Sequence, residues 1–265
     1  MVNSTMYLEV KNLSLSIGEA HILQDISFSL NKGKFLAIIG PNGAGKSSLL
    51  KSIGRLYKQI SGEILFEGRS TVSMKSKEIA RLIAWVHQAG STSLPFTVKE
   101  FAKMARYPWQ TALGLDTKQD VEAVEKALYT AGVEDIADRE FNTLSGGERQ
   151  KALIAAALAQ GAEVLFLDEP TSFLDYRHQV ETLKLIEHIN KKENMTILLV
   201  THDINLALHG ADEILALKHG KLAWKGDSKT LLSEGVLESI FDTTFQSFFS
   251  DGQTVPYVAP KGMVF

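Results

Sequence analysis

Gly40-Pro41-Asn42-Gly43-Ala44-Gly45-Lys46-Ser47 carries the spacing G-x-x-x-x-G-K-[ST], which is suited to cradling phosphate with backbone N–H groups. The residues on either side supply the context. Lys34 to Ile39 reads as a buried strand, and Ser48 to Ile53 as the start of an amphipathic helix. A strand, a glycine-rich turn and a helix N-terminus aim several N–H groups and the positive end of the helix dipole at one point. The cradle is expected to run from Gly40 through Ser48, with Lys46 adding a mobile positive charge. The Ser47 hydroxyl is of the type that holds magnesium. A nucleoside phosphate is the expected ligand.

Two further polar clusters follow apolar runs that read as buried strands. Asp168-Glu169 follows Val164–Leu167, and Thr201-His202-Asp203 follows Thr196–Val200. Ligands of open parallel sheets bind at the carboxyl ends of strands, so these clusters are candidates for the same phosphate. Asp168 is a candidate magnesium ligand opposite Ser47, Glu169 a candidate base for an attacking water, and His202 a candidate contact to the terminal phosphate. Strand-end carboxylates are often only solvated, and the neighbouring phosphate loop is what argues otherwise.

The elements that must position these groups follow from periodicity. Leu8, Val10, Leu13, Leu15 and Ile17, then Ile22, Ile26, Phe28 and Leu30, read as paired strands with one buried face, joined by Ile64–Phe66 in a small antiparallel sheet. From about Ser91 to Gly161 the pattern is helical. Thr97-x-x-Glu100 and Thr117-x-x-Asp120 are capping boxes, and Phe96 and Phe101 stand at staple spacing. Val121, Val124, Leu128 and Ala131 form one face of the second helix, with Gly132 as its stop. A third helix starts at Ser145 and runs through an alanine-rich stretch. The α/β pattern then returns, with a helix over Val180, Leu183, Ile186 and Ile189 and a hairpin turning at His219-Gly220. The tail from about Thr243 to Phe265 shows little periodicity.

Composition sets limits. The 265 residues carry a net charge of −3, with 45% hydrophobic residues and no cysteine. That fits a soluble globular protein large enough for one big domain or two small ones. It excludes disulfides, thiolate metal sites and cysteine nucleophiles, and gives no support to a nucleic-acid surface. A cytosolic setting is the simplest match. Met1–Met6 lacks the basic and apolar regions of an export signal. The longest apolar run, Ala152–Ala159, is far shorter than the roughly 20 residues of a membrane helix, so work at a membrane would require docking on another subunit. The seven histidines are scattered without a metal-binding spacing. All but His202 are expected to be satisfied or solvent-facing, and no cargo metal is expected to bind this chain.

Leu144-Ser145-Gly146-Gly147-Glu148-Arg149-Gln150 is, by physics alone, a serine-capped helix start with two side-chain-free positions, a second anion-binding end. A plain capping box is the other reading of the same residues. The stretch also resembles the signature of the ATP-binding-cassette (ABC) ATPases. Gln88 stands at the glutamine-loop position of that family, Val164–Pro170 resembles its Walker B segment, Ser172–Asp175 its D-loop and Thr201–Asp203 its switch-histidine segment. Nearly the whole chain is covered, in the family's order.

The resemblance implies an α/β fold: a P-loop RecA-like core with a small antiparallel β subdomain and a helical subdomain inserted at about 91–161, all within one ABC nucleotide-binding domain spanning 1–265. It implies ATP and magnesium as cofactors, with Ser47, Gln88 and Asp168 at the metal. Two copies would stack head to tail, Ser145, Gly146 and Gly147 of one capping the ATP held by the other. Gln88 would then sense magnesium and the attacking water, Glu169 act as base, Asp175 link the two sites and His202 stabilise the γ-phosphate, Lys46 completing the catalytic set. One departure concerns the base. Where the family stacks adenine on an aromatic, Ser16-Ile17-Gly18 offers Ile17, a loss of ~1–3 kcal/mol on the nucleic-acid stacking scale. Tyr7 and Phe28 are the neighbouring aromatics that could substitute.

Two segments narrow the resemblance. Arg106-Tyr107-Pro108-Trp109 and Leu174-Asp175-Tyr176-Arg177-His178-Gln179 are similar to the ATPase subunits of bacterial importers for iron-siderophores, haem and vitamin B12. A surface turn with packed aromatics is the plainer account of Tyr107–Trp109. The importer resemblance implies transmembrane permease subunits, a substrate-binding protein beyond them, and a peripheral position on the cytoplasmic face of the inner membrane. In it, Gln88 and Ser91–Trp109 couple ATP closure to the permease. The alternative from another class is a soluble ABC ATPase serving an assembly machine such as an iron–sulfur cluster scaffold. A DNA-repair cassette fits poorly, for want of a coiled-coil insertion and a basic surface.

Overall fold

The computed structural model describes residues 6–87, 94–110, 116–233, 235–249, 252 and 254–262. The elements begin with β1 (Leu8–Ile17), β2 (Ala20–Leu30), β3 (Phe35–Ile39), α1 (Lys46–Ile53), β4 (Ile60–Phe66) and β5 (Arg69–Ser70). There follow α2 (Ser76–Leu82), β6 (Ile83–Val86), α3 (Val98–Met104), α4 (Lys118–Ala131), α5 (Gly146–Ala159), β7 (Val164–Asp168) and α6 (Tyr176–Glu193). The last are β8 (Thr196–Val200), α7 (Ile204–Gly210), β9 (Glu213–Lys218), β10 (Lys221–Gly226), α8 (Ser228–Leu231), α9 (Val236–Phe241), β11 (Phe245–Phe248) and β12 (Tyr257–Pro260). The chain divides into two compact units, Met1–Ser73 with Ile197–Phe265, and Met74–Thr196.

In the first unit, β2, β1, β4 and β5 form an antiparallel sheet in that order, as the alternating pattern predicts. The alternation is not uniform. Val10 and Leu13 are both buried although three residues apart, because the pairing of β1 with β2 shifts register between them. Further shifts on either side of Leu15 pair it with Leu23, so Leu23 enters the core and Ile22 does not. A bulge inserts one residue and turns the following side chains to the other face.

The unit's second layer is built on β3, which pairs in parallel with β8 on one side and β9 on the other. All five of its residues are buried, the expected signature of a strand covered on both faces. β10 closes the hairpin with β9, and the turn adopts positive φ at His219 and Gly220, the conformation that two-residue hairpin turns require. The tail is more ordered than its sequence suggests. β11 and β12 pair antiparallel, and Val258 joins Leu208, Leu231, Leu237 and Ile240 in a cluster against Ala37 and Ile39. Such short strands carry too few side chains to show a period.

In the second unit, β6 and β7 pair in parallel. Helices α3, α4 and α5 start where the capping boxes predict, Thr97, Thr117 and Ser145 each accepting the N3 N–H. α4 stops at Gly132, in the left-handed region. Phe101 packs its ring 5.1 Å from Phe141. Two helix faces differ from expectation. On α4, Val121 is exposed and Asp120 is buried; on α6 the buried stripe is Thr182, Leu185, Ile186 and Ile189, with Val180 outside.

Asp120 is buried because it has a partner. Arg106 Nε donates to Asp120 Oδ1 at 2.8 Å, and Arg106 Nη1 donates to the Ala159 and Gln160 carbonyls at 2.9 and 3.3 Å. One guanidinium thus satisfies the α4 carboxylate and the C-terminal end of α5, where a positive charge also opposes the helix dipole. Hydrogen bonds from the Thr117 hydroxyl and N–H, with that from Arg106, hold the Asp120 pKa down to about 2. A depressed carboxylate pKa stabilises the fold above the unfolded-state value and ceases to do so as pH falls through the folded value. Arg106→Ala leaves a buried carboxylate without its cation, and denaturant melts at neutral pH should show a loss of about 3 to 5 kcal/mol. The deficit relative to the wild type should shrink as pH falls from about 4 toward 2; a deficit constant across that window would show that the charge pair is not its source.

Candidate functional site

The phosphate loop leaves β3 at Gly40 and enters α1 at Lys46. Gly40 has φ 145, and a β-carbon there would run into the Leu217 carbonyl oxygen. Gly45 has φ 98, and its β-carbon would stand 2.8 Å from the Leu23 side chain. Glycine is therefore demanded twice at these positions, by dihedral angle and by space. The β9–β10 turn braces the loop: Gly220 N donates to the Ala44 carbonyl at 3.2 Å, and Gln24 N to the Gly220 carbonyl at 2.8 Å. Asn42 and Gly43 are left exposed at the tip. Lys46 is buried, its ammonium donating to the carbonyls of Gly40 and Pro41 at 2.8 and 3.1 Å. α1 has no side-chain cap and no acidic residue in its first turn, so Ser47 and Ser48 begin a helix whose positive end is not countered from within.

His202 emerges at the same end of this sheet. Ile38 is in register with Val200 on parallel strands, so Gly40 and His202 each lie two residues beyond a paired position. Strands in a sheet lie about 4.8 Å apart. The backbone bond from Thr201 N to the Ile38 carbonyl, 3.2 Å, extends the ladder to the residue before His202. On the other side of His202, Asp203 caps α7 by accepting from Leu206 N at 3.1 Å. The histidine is exposed between two fixed points.

In the second unit, β7 ends at Asp168, half-buried, and Glu169 follows with φ 51. A left-handed non-glycine residue is strained, and such strain gathers at functional positions. The Ser172 hydroxyl donates to Glu169 Oε2 at 3.0 Å. Ser145 caps α5, while Glu148 accepts the Ser145 N–H at 2.8 Å and pairs with Arg139 at 2.9 Å; the Ser145 backbone bond first, then its hydroxyl, lower the Glu148 pKa. Asp175 is exposed and caps α6 through His178 N at 2.9 Å, the main cause of its lowered pKa. Gln88 lies outside the described residues. Of the Ser91–Trp109 segment, 94–109 is described. Tyr107 is 64% exposed, whereas Trp109 is held by its Nε1 bond to the Gln160 carbonyl at 2.6 Å and by Arg81 stacked 4.7 Å over its ring.

The base end differs from expectation. Tyr7 and Phe28 are both buried in the antiparallel layer, Tyr7 against Phe66, so neither offers a face to a ligand. Ile17 is 49% exposed and lines a groove with Ser16, Gly18, Leu56, Tyr57 and Lys58. Tyr57 is an aromatic of this groove that sequence spacing does not show, because the loop after α1 delivers it from forty residues away.

A family profile described as ABC transporter matches residues 23–172, more than half of the chain. The chain belongs to this family. It is 39% identical to the probable siderophore transport system ATP-binding protein YusV of Bacillus subtilis, over 90% of this chain and 87% of that one. Among solved structures it resembles a chain from an inward-facing putative metal-chelate-type ABC transporter, with TM-score 0.83 and 29% identity over 96% of this chain and 97% of that one. It also resembles a dimeric post-hydrolysis ATP-binding cassette bound to ADP and Pi, with TM-score 0.71 and 28% identity, covering 83% of this chain and 98% of that one. This ABC protein is an ATPase, and ATP is its substrate. Its fold is the α/β cassette that the sequence predicts. Among the described residues no helix is long and apolar enough to cross a membrane.

The crowding at Gly40 tests whether this loop is the expected phosphate cradle. Gly40→Ala forces a methyl into the Leu217 carbonyl, so titration with a fluorescent ATP analogue should show binding lost or weakened at least tenfold, by about 1.4 kcal/mol or more. Unchanged affinity would mean that the loop can move without cost.

Proposed function

We propose that this chain is the ATP-hydrolysing subunit of an importer for a metal chelate of the iron-siderophore, haem or vitamin B12 type. The near end-to-end likeness to a metal-chelate-type transporter chain carries this reading, and the likeness to a siderophore-system ATP-binding protein supports it. Both favour an importer over an assembly-machine ATPase. In this reading residues 1–265 act as one ATPase domain, with the helical subdomain at about 91–161 bearing the signature. It works peripherally on the cytoplasmic face of the inner membrane, on permease subunits that in turn receive a substrate-binding protein. Gln88 and Ser91–Trp109, with Tyr107 exposed, form the coupling face.

Two copies close head to tail around two ATP molecules. Gly40–Ser48 of one copy cradles the phosphates, and Lys46 exchanges its bonds to the Gly40 and Pro41 carbonyls for phosphate oxygens. Ser145, Gly146 and Gly147 of the other copy present the start of α5 to the γ-phosphate. Glu169 orients and deprotonates the attacking water, His202 contacts the γ-phosphate and Asp175 joins the two sites. Ser47 and Asp168 are hard oxygen donors suited to magnesium, and with Gln88 they would hold it. Magnesium, when bound, would neutralise phosphate charge.

Glu169→Gln should bind ATP, accumulate as a dimer on gel filtration and turn over at least a hundredfold more slowly; wild-type turnover would overturn its role as base. The importer reading is tested by capturing the tagged chain from membranes. A polytopic permease in the eluate supports it, and a soluble scaffold in its place refutes it.

A further inference from the structure

The segment Leu174–Gln179 stands out in the sequence, and the mechanism above uses only Asp175 from it. In the structure it is a cross-tied corner. Gln179 Nε2 donates to the Leu174 carbonyl at 2.9 Å, and Asp175 Oδ1 accepts both the His178 N–H at 2.9 Å and its ring Nδ1–H at 2.8 Å. A carboxylate can only accept here, so Nδ1 carries the proton.

The same corner lies against the first turn of α5. A β-carbon on Gly146 would stand 3.6 Å from Leu174 Cδ2, and one on Gly147 would fall inside the imidazole of His178. Gly147 does not have a positive φ, so its backbone conformation does not ask for glycine. The ring of His178 does. It rests against Gly147, with the side chain 28% exposed, a satisfied histidine rather than a solvent-facing one. A second tie lies further along both helices: Lys151 of α5 meets Glu181 of α6 at 2.5 Å, and Arg177 meets the same carboxylate at 3.0 Å.

We propose that His178 is a positioning residue for ATP hydrolysis, coupling the Asp175 carboxylate to the backbone of Gly147 so that the two move as one body. The proposal rests on the reading above in which Ser145–Gly147 and Asp175 serve the nucleotide sites. One end of the imidazole is bonded to the carboxylate that caps α6. The ring occupies the space beside Gly147, the second residue of α5, that a β-carbon there would need. A shift of the α5 terminus on meeting phosphate is therefore delivered to Asp175 through one rigid ring, and a shift of Asp175 is delivered back. Asp175 Oδ1 is bonded both to that ring and to the His178 N–H, which limits how far the carboxylate can move independently. A misplacement of about 1 Å at a reacting site can cost on the order of a hundredfold in rate, so this tie controls turnover without touching ATP.

Steady-state ATP hydrolysis by the purified full-length chain tests it. His178→Ala should lower kcat about ten- to a hundredfold, leave the KM for ATP within about twofold and leave the thermal midpoint within about 3 °C. His178→Asn, which keeps a donor for Asp175, should recover part of kcat; His178→Phe, which keeps a ring on Gly147 without the donor, should also recover only part. Should His178→Ala fail to fold, these two carry the test, and wild-type kcat in either overturns the proposal. Wild-type kcat in His178→Ala overturns it as well, as does a loss of kcat matched by a falling midpoint that neither replacement reverses. Lys46→Ala separates the two layers of argument: full hydrolysis there removes the ATPase site itself, whereas an inactive Lys46→Ala beside a fully active His178→Ala removes only the role of His178.

Discussion

Gly40 has nowhere to put a side chain. It ends a strand buried on both faces between two parallel neighbours, and the carbonyl of Leu217 occupies the space a methyl would need. The chain must therefore turn at once, tightly, and in a conformation only glycine adopts freely. The bracing of that turn by Gly220, Ala44 and Gln24 follows from this crowding. So does the inward course of Lys46, whose ammonium lies back over the carbonyls of Gly40 and Pro41. Those bonds keep a buried ammonium satisfied and place it against the loop, where in the proposed reading a phosphate would replace the carbonyl partners with little reorganisation.

Helix starts explain why an anion is expected first at α1. α3, α4, α5, α6, α7 and α8 are each capped by a threonine, serine or aspartate side chain. α2 and α9 carry a glutamate in their first turns. Among the described helices, α1 alone has neither device. A helix N-terminus left without a protein anion has unmet electrostatic demand, which an external phosphate can answer. α5 is an intermediate case. Its Glu148 would oppose an incoming phosphate, but that carboxylate is turned to the Ser145 N–H and paired with Arg139.

These local devices are why so much is legible from sequence. Caps, glycine turns and buried strands are written in contiguous residues, and the strand-end clusters follow from them. What escapes depends on residues far apart in the chain. No hydropathy pattern shows that Asp120 is buried, because its partner Arg106 lies on another segment. The burial of Leu23 in place of Ile22 depends on register shifts against β1. The β11–β12 hairpin is held to the core by Val258 and by the Asn205 side chain, which pairs with both backbone groups of Val258. Gly147 reads as a motif glycine, and its steric reason, His178, lies on another helix.

In the proposed site the two ends of the nucleotide would be served by different physics. The phosphate end is fixed by backbone geometry, a buried lysine and an uncapped helix, all of which act on charge. The groove edged by Ile17 and Tyr57 lies on a hairpin tip and a loop, and in the proposed reading it would meet the base with one aliphatic side chain and one aromatic ring. Ile17 offers no hydrogen bond, so discrimination between bases at this groove would come from its polar groups, Ser16, Tyr57 and Lys58.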